Sequence, residues 1–267
     1  MTSQLIAASF DAKSNGTSVE YRVLAPSNRS ESERLPLILH LHGAMSSAAS
    51  LEAAKDAYDL AWANGILPRA IVACASTPTL GGFYIDGGEG RNWETLVGTE
   101  FPALLAEQFA LSDMRGVIGY SLGGYAALKL AFRQPEKYRA VAALCPVIFP
   151  GETPSSVPER NRPAILNDLN IAMGADEATY QSNSVYGLAR SHHASIKRSG
   201  LSIRYDCGDA DEFNLHDGAT YLARVLSELG IPHQFDSVRG ATHVDAAMPA
   251  RQARAIAFLG KVLKSAA

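Results

Sequence analysis

Short, almost uninterrupted apolar runs that alternate with helical segments constrain the fold of this 267-residue chain more than any other feature. The runs PLILHLHG (36–43) and RAIVACAS (69–76) are typical of strands covered on both faces of a parallel sheet. Further strands are predicted at 116–120, 139–147, 201–208 and 232–238, with helices at 47–65, 93–110 (interrupted near Pro102), 122–133, 217–229 and 248–264. This alternation predicts an α/β fold in which a mostly parallel, twisted sheet has helices on both faces.

Two segments depart from this rhythm. SVEYRVLAP (18–26) alternates apolar with charged residues and predicts a half-buried, antiparallel strand. Residues 148–200 contain four prolines and helical stretches around 164–172 and 184–198, and we interpret them as a small, cap-like insertion over one end of the sheet. Because 47% of the residues are apolar, the chain can bury a large core, and residues 1–267 are expected to form a single domain.

Composition and charge exclude several classes of function. The net charge is −3 and no basic run stands out, so neither nucleic acid nor an anionic membrane surface is an expected partner. Cys74, Cys145 and Cys207 lie in or at the end of predicted buried strands and are expected to be reduced core thiols. The first residues lack a signal-peptide pattern and no apolar run is long enough to cross a bilayer, so a cytoplasmic location is expected. The sequence sets no oligomeric state.

The segment Gly119-Tyr120-Ser121-Leu122-Gly123 joins a predicted strand to a predicted helix and matches the pattern G-x-S-x-G. In that setting the pattern predicts a nucleophile elbow, a sharp turn that holds a serine hydroxyl above the end of the sheet. Glycine is expected on both sides because side chains there would collide with the neighbouring strand and helix. Ser121 is therefore the candidate nucleophile. The alternative is an ordinary glycine turn in which the serine only caps the helix.

A nucleophilic serine needs a base, and after such an elbow the acid precedes the histidine along the chain. His243 follows the predicted strand 232–238 at its carboxyl end, the edge at which sites form in parallel sheets, and is the candidate base. The histidines that fit less well are His192, His193, His216 and His233. The loop after strand 201–207 offers three candidate acids: Asp209, Asp211 and Glu212. The acids of this loop that do not orient the imidazole are expected to be solvated.

Two backbone N–H groups are expected to stabilise the oxyanion that forms during attack. One belongs to Leu122, directly after the serine. The other is assigned to Ala44, with Met45 as the alternative, in the loop that follows strand 36–42. His42 is expected to support this loop, because a histidine that precedes the serine does not fit the order of the triad.

In this order, LILHLHG, GYSLGG, GDADEF and ATHVD resemble the motifs of the α/β-hydrolase fold. The stretch 83–109 contains a Trp-Glu-Thr segment and a later acidic-aromatic-Pro step. It resembles the esterase D group, which includes S-formylglutathione hydrolases, feruloyl and cinnamoyl esterases, and mycolyltransferases. The resemblance implies that Asp211, within a G-x-x-D-x-F arrangement, is the acid, with Asp209 as the alternative. It also implies that Trp93 and Glu94 support the site.

The predicted function is that of a serine carboxylic ester hydrolase that forms an acyl-enzyme on a small-molecule ester, without metal or organic cofactor. Its triad is Ser121, His243 and Asp211. The residues expected to line a substrate pocket are Met45, Trp93, Tyr120 and Phe149, with the Phe83–Tyr84 loop beside them. An acyltransferase or a thioesterase, including an S-formylglutathione hydrolase, would use the same triad. The third alternative is a non-catalytic ligand-binding protein of this fold.

Overall fold

The computed structural model describes residues 3–78 and 81–265. The strands in those residues are β1 (Ser3–Ala12), β2 (Thr17–Pro26), β3 (Leu35–Leu41), β4 (Ile71–Ala75), β5 (Leu111–Tyr120), β6 (Ala140–Leu144), β7 (Ser202–Gly208) and β8 (Gln234–Val238). They form one sheet in the order β1-β2-β4-β3-β5-β6-β7-β8. Strands β3 to β8 run parallel, whereas β2 pairs antiparallel with β1 and β4. The mostly parallel sheet and the antiparallel strand at 18–26 are therefore confirmed.

Strand β1 is absent from the predicted strands. It lies at the edge of the sheet, where it pairs only with β2, and its residues range from buried to exposed. Its first half is apolar from Leu5 to Ala8, so the alternation that identifies a half-buried strand is missing there. Strand β1 is therefore defined by its pairing with β2 and not by an alternation of apolar and polar residues in its own sequence.

The helices in the described residues are α1 (Ala49–Ala53), α2 (Lys55–Ala63), α3 (Trp93–Thr95), α4 (Phe101–Gln108), α5 (Leu122–Arg133), α6 (Ile165–Ala172), α7 (Glu177–Asn183), α8 (Val185–Ser199), α9 (Leu215–Glu228) and α10 (Met248–Ser265). The interruption expected near Pro102 lies earlier, in a π-helical turn at Leu96–Glu100. Pro102 stands in the first turn of α4, where the N–H that proline lacks would have no partner within the helix.

The sheet buries apolar side chains on both faces, as predicted. In β3, Leu37 and Leu39 belong to the core beneath α4, α5, α8 and α9, whereas Ile38 belongs to the core beneath α1, α2 and α10. A continuous apolar run therefore serves both faces of the sheet. The three cysteines are free and buried, as expected. In the described part of the chain, we find no helix with both the length and the apolar character needed to span a membrane.

The segment 148–200, predicted as a cap-like insertion, contains α6, α7 and α8, of which α7 lies outside the predicted helices. Helix α8 packs against α5 and α9, and its Leu188, Ala189 and Ile196 belong to the main core. It therefore takes the place of the crossover helix between the parallel strands β6 and β7. Helix α6 instead contributes to the cavity described below.

Candidate active site

The turn between β5 and α5 has the strained geometry of an elbow. Ser121 has φ +56° and ψ −118°, outside the conformations that a non-glycine residue prefers. A Cβ on Gly119 would lie 2.0 Å from the carbonyl oxygen of Gly123, and one on Gly123 would lie 2.1 Å from that of Leu41. Both positions therefore require glycine, because backbone atoms occupy the space of a side chain.

The structure brings together the three side chains predicted to form the triad. His243 Nε2 is 3.0 Å from Ser121 Oγ, and His243 Nδ1 is 2.8 Å from Asp211 Oδ2. All three residues are buried. Asp211 Oδ1 also accepts hydrogen bonds from the backbone N–H groups of Phe213 (3.0 Å) and Leu215 (3.4 Å). These bonds fix the carboxylate and direct its other oxygen towards the imidazole.

The two remaining acids of this loop have different partners. Asp209 Oδ1 accepts the backbone N–H of Gly240 at 2.6 Å, so its carboxylate ties two loops together away from the imidazole. Glu212 is exposed, as expected for a solvated acid, yet its Oε2 also accepts the backbone N–H of His243 at 2.9 Å. Sequence reasoning missed this contact, which holds the backbone of the histidine.

Burial and charge act in opposite directions on the histidine and its acid. Burial disfavours the imidazolium, but the side chains of Asp211 and Cys145 outweigh that effect and raise the pKa of His243 to about 9. Burial also opposes ionisation of Asp211. The hydrogen bonds from His243, Phe213 and Leu215 outweigh it, so the pKa of the Asp211 carboxyl is lowered. The pair therefore favours a charged imidazolium beside a charged carboxylate.

Tyr120 lies at the boundary between the histidine and the space above the serine. Its hydroxyl donates to the backbone carbonyl of His243 at 2.7 Å, and its ring lies 5.3 Å from the imidazole. The ring of Phe213 also meets the imidazole, edge-on at 5.1 Å. With Glu212 on the N–H of His243 and Tyr120 on its C=O, the backbone of the histidine is held at both polar groups.

A buried polar cluster lies behind the triad. Arg251 Nη2 donates to Asp206 Oδ1 at 2.5 Å and to Cys145 Sγ at 2.6 Å, and the Cys207 thiol donates to Asp211 Oδ2 at 3.9 Å. The hydrogen bonds of Cys145 to Cys207 and Arg251 lower the pKa of the Cys145 thiol. Sequence reasoning missed Arg251, although one signal was present: it lies four and eight residues before buried apolar positions of α10.

Metal-ligating atoms approach one another in this same cluster. Ligand atoms of Cys145, Cys207 and Asp211 lie within 4.8 Å of one another. The Arg251 guanidinium already supplies positive charge at Cys145, and Asp211 already bonds His243. We therefore interpret the cluster as support for the histidine and do not assign a metal to it.

The loop after β3 approaches the serine closely. A Cβ on Gly43 would lie 3.4 Å from Ser121 Cβ. Within the described residues, no hydrogen bond occupies the backbone N–H groups of Ala44, Met45 or Leu122, all of which line the space above Ser121. Met45 has φ +57°, a left-handed conformation at the point where the loop turns. These free N–H groups can donate to an oxyanion.

His42 supports this loop, as predicted. Its Nδ1 is 2.8 Å from the carbonyl oxygen of Gly43, and its Nε2 accepts the backbone N–H of Thr77 at 3.0 Å. Nδ1 is therefore the protonated nitrogen, which donates to Gly43. Tyr84 adds a second contact, since its hydroxyl donates to the carbonyl oxygen of His42 at 3.0 Å.

A cavity of about 400 Å³ opens at Ser121. Met45 and Tyr120 line it, in agreement with their prediction as pocket residues. The apolar residues of its wall include Phe83, Val147, Ile165, Leu166, Leu169 and Phe213. Three of these, Ile165, Leu166 and Leu169, come from α6.

Two predicted pocket residues lie elsewhere. Phe149 is buried against Tyr125 and Met173, around a separate small cavity, because the chain after β6 turns into the core before α6 begins. Trp93 is buried at the start of α3. The next residue, Glu94, accepts hydrogen bonds from Lys129 and Arg133 of α5 and so holds α3 on that helix. The aromatic rings of Phe149 and Trp93 therefore stabilise the core rather than line the cavity at Ser121.

Comparison with known proteins gives the same family as the motifs. The model of the Esterase family matches residues 12–252. The chain belongs to the Esterase family. It is also 38% identical over 79 residues to the S-formylglutathione hydrolase of Paracoccus denitrificans (strain Pd 1222). That alignment covers 27% of this chain and 28% of the relative, so the two proteins match over about a quarter of their lengths.

Solved structures of similar shape cover almost the whole chain. A ferulic acid esterase superposes with a TM-score of 0.77 at 19% identity, over 98% of this chain and all of that chain. An S-formylglutathione hydrolase from Agrobacterium tumefaciens superposes with a TM-score of 0.78 at 17% identity, over 98% and 96% of the two chains. The α/β-hydrolase fold and the resemblance to the esterase group are therefore confirmed.

Proposed function

We propose that this Esterase family protein is a serine carboxylic ester hydrolase in which Ser121, His243 and Asp211 form the catalytic triad. The observation that carries the proposal is the unbroken series of hydrogen bonds from Asp211 through His243 to Ser121. This series ends at a strained elbow that opens into an apolar cavity. Strain at a serine that faces such a cavity is typical of a nucleophile and unusual in a helix cap.

The reaction begins with neutral His243, whose Nδ1–H donates to Asp211. As Ser121 Oγ attacks the ester carbonyl carbon, its proton moves to His243 Nε2, and Asp211 stabilises the imidazolium that forms. The carbonyl oxygen becomes an oxyanion and accepts the N–H groups of Leu122 and Ala44. The loss of one such donor raises the barrier by on the order of 3 kcal/mol.

His243 then gives its proton to the oxygen of the leaving alcohol, the carbon–oxygen bond of the ester breaks, and the acyl group stays on Ser121. A water molecule attacks this acyl-enzyme while His243 accepts one of its protons. The second tetrahedral intermediate collapses, His243 returns the proton to Ser121 Oγ, and the carboxylic acid leaves. No step calls for a metal or an organic cofactor.

The test is Ser121→Ala. We expect kcat/KM for 4-nitrophenyl butyrate to fall at least ~10⁴-fold, because no nucleophile remains. A fluorophosphonate should label the Ser121 peptide of the unaltered protein, as read by mass spectrometry, and should label the variant nowhere. Ser199→Ala, which removes a hydroxyl on α8, is the matched control and should keep full activity. Retained activity in Ser121→Ala, or label on another residue, would overturn the proposal.

Acyl transfer on the same triad is tested by adding an alcohol at rising concentration and measuring the new ester. A hydrolase gives mainly the carboxylic acid under these conditions. A cytoplasmic location is part of the proposal and is supported by three free, buried cysteines.

A further inference from the structure

The cavity at Ser121 lacks acidic and basic side chains other than histidine among its described lining residues: no Asp, Glu, Lys or Arg lines it. The residues outside the described ranges are of the types Met, Thr, Leu and Ala, none of which has a charged side chain. This is unusual in a chain with 51 charged residues (24 basic and 27 acidic), many of which form ion pairs elsewhere.

Two of the three histidines that line the cavity are neutral near pH 7. Burial lowers the pKa of His40 to about 4, and it lowers the pKa of His42 as well. His40 bonds the Tyr58 hydroxyl at 3.0 Å, and His42 bonds Gly43 and Thr77. The third, His243, is bonded to Asp211. None of them is left to bind a substrate carboxylate.

The mouth of the cavity is also apolar. Met45 is 81% exposed and Val244 is 69% exposed, and each directly follows a residue of the proposed machinery, Ala44 and His243. The side chains of Met45 and Val244 extend the apolar surface of the cavity to its entrance. The charged residues next to lining residues on this side are acidic: Glu212 directly precedes Phe213 and Asp245 directly follows Val244, and both would repel an anion.

We propose that this cavity takes an uncharged ester with an apolar group of short to medium length, and that it rejects anionic substrates such as a glutathione thioester. This rests on the ester hydrolase proposed above and names its substrate class. Glutathione carries two carboxylates and an ammonium group, which need partners of opposite charge if they lose water. An alkyl chain needs only the apolar wall, where each buried methylene adds about fourfold to binding.

The experiment measures kcat/KM of the unaltered protein for matched pairs of substrates. The acyl series is 4-nitrophenyl acetate, butyrate and hexanoate, for which we expect a rise of about fourfold per methylene. The anionic partner of the hexanoate is mono-4-nitrophenyl adipate, for which we expect kcat/KM at least ~100-fold lower. S-acetyl-N-acetylcysteamine and S-acetylglutathione form the corresponding neutral and charged thioesters.

Helix α6 provides a variant with a matched control. Ile165 is half-buried and lines the cavity, whereas Ile171 on the same helix is 65% exposed and does not line it. Ile165→Arg adds a cation to the wall and is expected to raise the adipate-to-hexanoate ratio at least ~tenfold. Ile171→Arg should leave that ratio unchanged. Circular dichroism checks that both variants fold. If either variant does not fold, the substrate panel with the unaltered protein still tests the inference.

The outcomes separate this inference from the proposed function. If no ester is hydrolysed in a Ser121-dependent manner, the proposed function fails and the inference fails with it. If hydrolysis depends on Ser121 but adipate matches hexanoate, or S-acetylglutathione exceeds the neutral thioester, the function stands and the substrate class is wrong. A rise along the acyl series together with rejection of both anions supports both.

Discussion

The two sides of the Ser121–His243 pair differ in charge. Behind the imidazole lie the Asp211 carboxylate and the buried Arg251–Asp206 ion pair. In front of the serine, no Asp, Glu, Lys or Arg lines the described part of the cavity. The fold therefore holds paired charges where the proposed mechanism transfers a proton, and keeps acidic and basic side chains away from the cavity where we propose that substrate binds. Because burying an unpaired charge is costly, each charge behind the triad has a partner of opposite sign or a hydrogen bond.

The two sides also come from different parts of the chain. The charged side is built by the loops after β7 and β8 and by α10, at the carboxyl ends of parallel strands. The uncharged side is built by the loop after β3 and by α6, which precedes the crossover helix α8. Substitutions on one side should therefore change the chemistry, and substitutions on the other should change the substrate.

The largest effect should come from removing the charge behind the imidazole. Asp211→Asn keeps the size of the side chain but no longer stabilises the imidazolium or the correct tautomer of His243. We expect kcat to fall by up to ~10⁴-fold, measured with 4-nitrophenyl butyrate. Asp209→Asn is the matched control in the same loop, since Asp209 bonds Gly240 and not His243, and should stay within about twofold. A larger loss for Asp209→Asn would make Asp209 the acid.

The pH dependence of kcat/KM tests how the charge of Asp211 affects the pKa of His243. Only neutral His243 accepts a proton, and its pKa is raised to about 9, so kcat/KM should rise about 50-fold between pH 7 and pH 9 and level off above about pH 10. Ser121→Ala serves as the blank for spontaneous hydrolysis.

Stability should change in the opposite direction over this range. The pKa of the histidine is higher in the folded chain than the usual 6.5, so its pairing with Asp211 stabilises the fold fully below about pH 6.5. That stabilisation is lost as the pH rises through about 9, as urea unfolding would measure. In the activity profile, a midpoint near pH 6.5 would contradict the rise in the pKa of His243 that is assigned to Asp211.

The meeting of Ser121, His243 and the loop that carries Asp211 could be predicted from the sequence, whereas the choice of Asp211 within that loop rested on the family resemblance. Gly119 and Gly123 report a turn that excludes side chains, and His243 and Asp211 each follow a strand whose apolar pattern is clear. In a parallel sheet, residues after strands meet at one edge whatever their separation along the chain. Strand order and loop position were therefore sufficient to bring these loops together, but not to choose among the three acids of the loop after β7.

The cavity wall could not be predicted in the same way. Phe149 and Trp93 are aromatic and near the motifs, but their direction depends on packing against α5, which no local pattern encodes. Leu166 and Leu169 form an apolar stripe that would suit a core helix equally well, and in the fold it faces the cavity. A stripe on a helix indicates that something apolar covers it, without indicating whether this is protein or substrate.

The smallest expected effect concerns Tyr120, whose ring belongs to the uncharged side and whose hydroxyl reaches the other side at the carbonyl of His243. Tyr120→Phe keeps the ring in the cavity and frees the histidine backbone, so we expect kcat to fall roughly 3- to 10-fold with little change in KM for 4-nitrophenyl hexanoate. Tyr186→Phe removes a similar bond, 2.9 Å to the carbonyl of Gly218, away from the site. Each of the two variants should lower the free energy of unfolding by about 1 kcal/mol, but Tyr186→Phe should leave kcat unchanged. If both variants lose the same stability and neither loses activity, the Tyr120 hydroxyl only stabilises the fold, and the two sides meet at Ser121 alone.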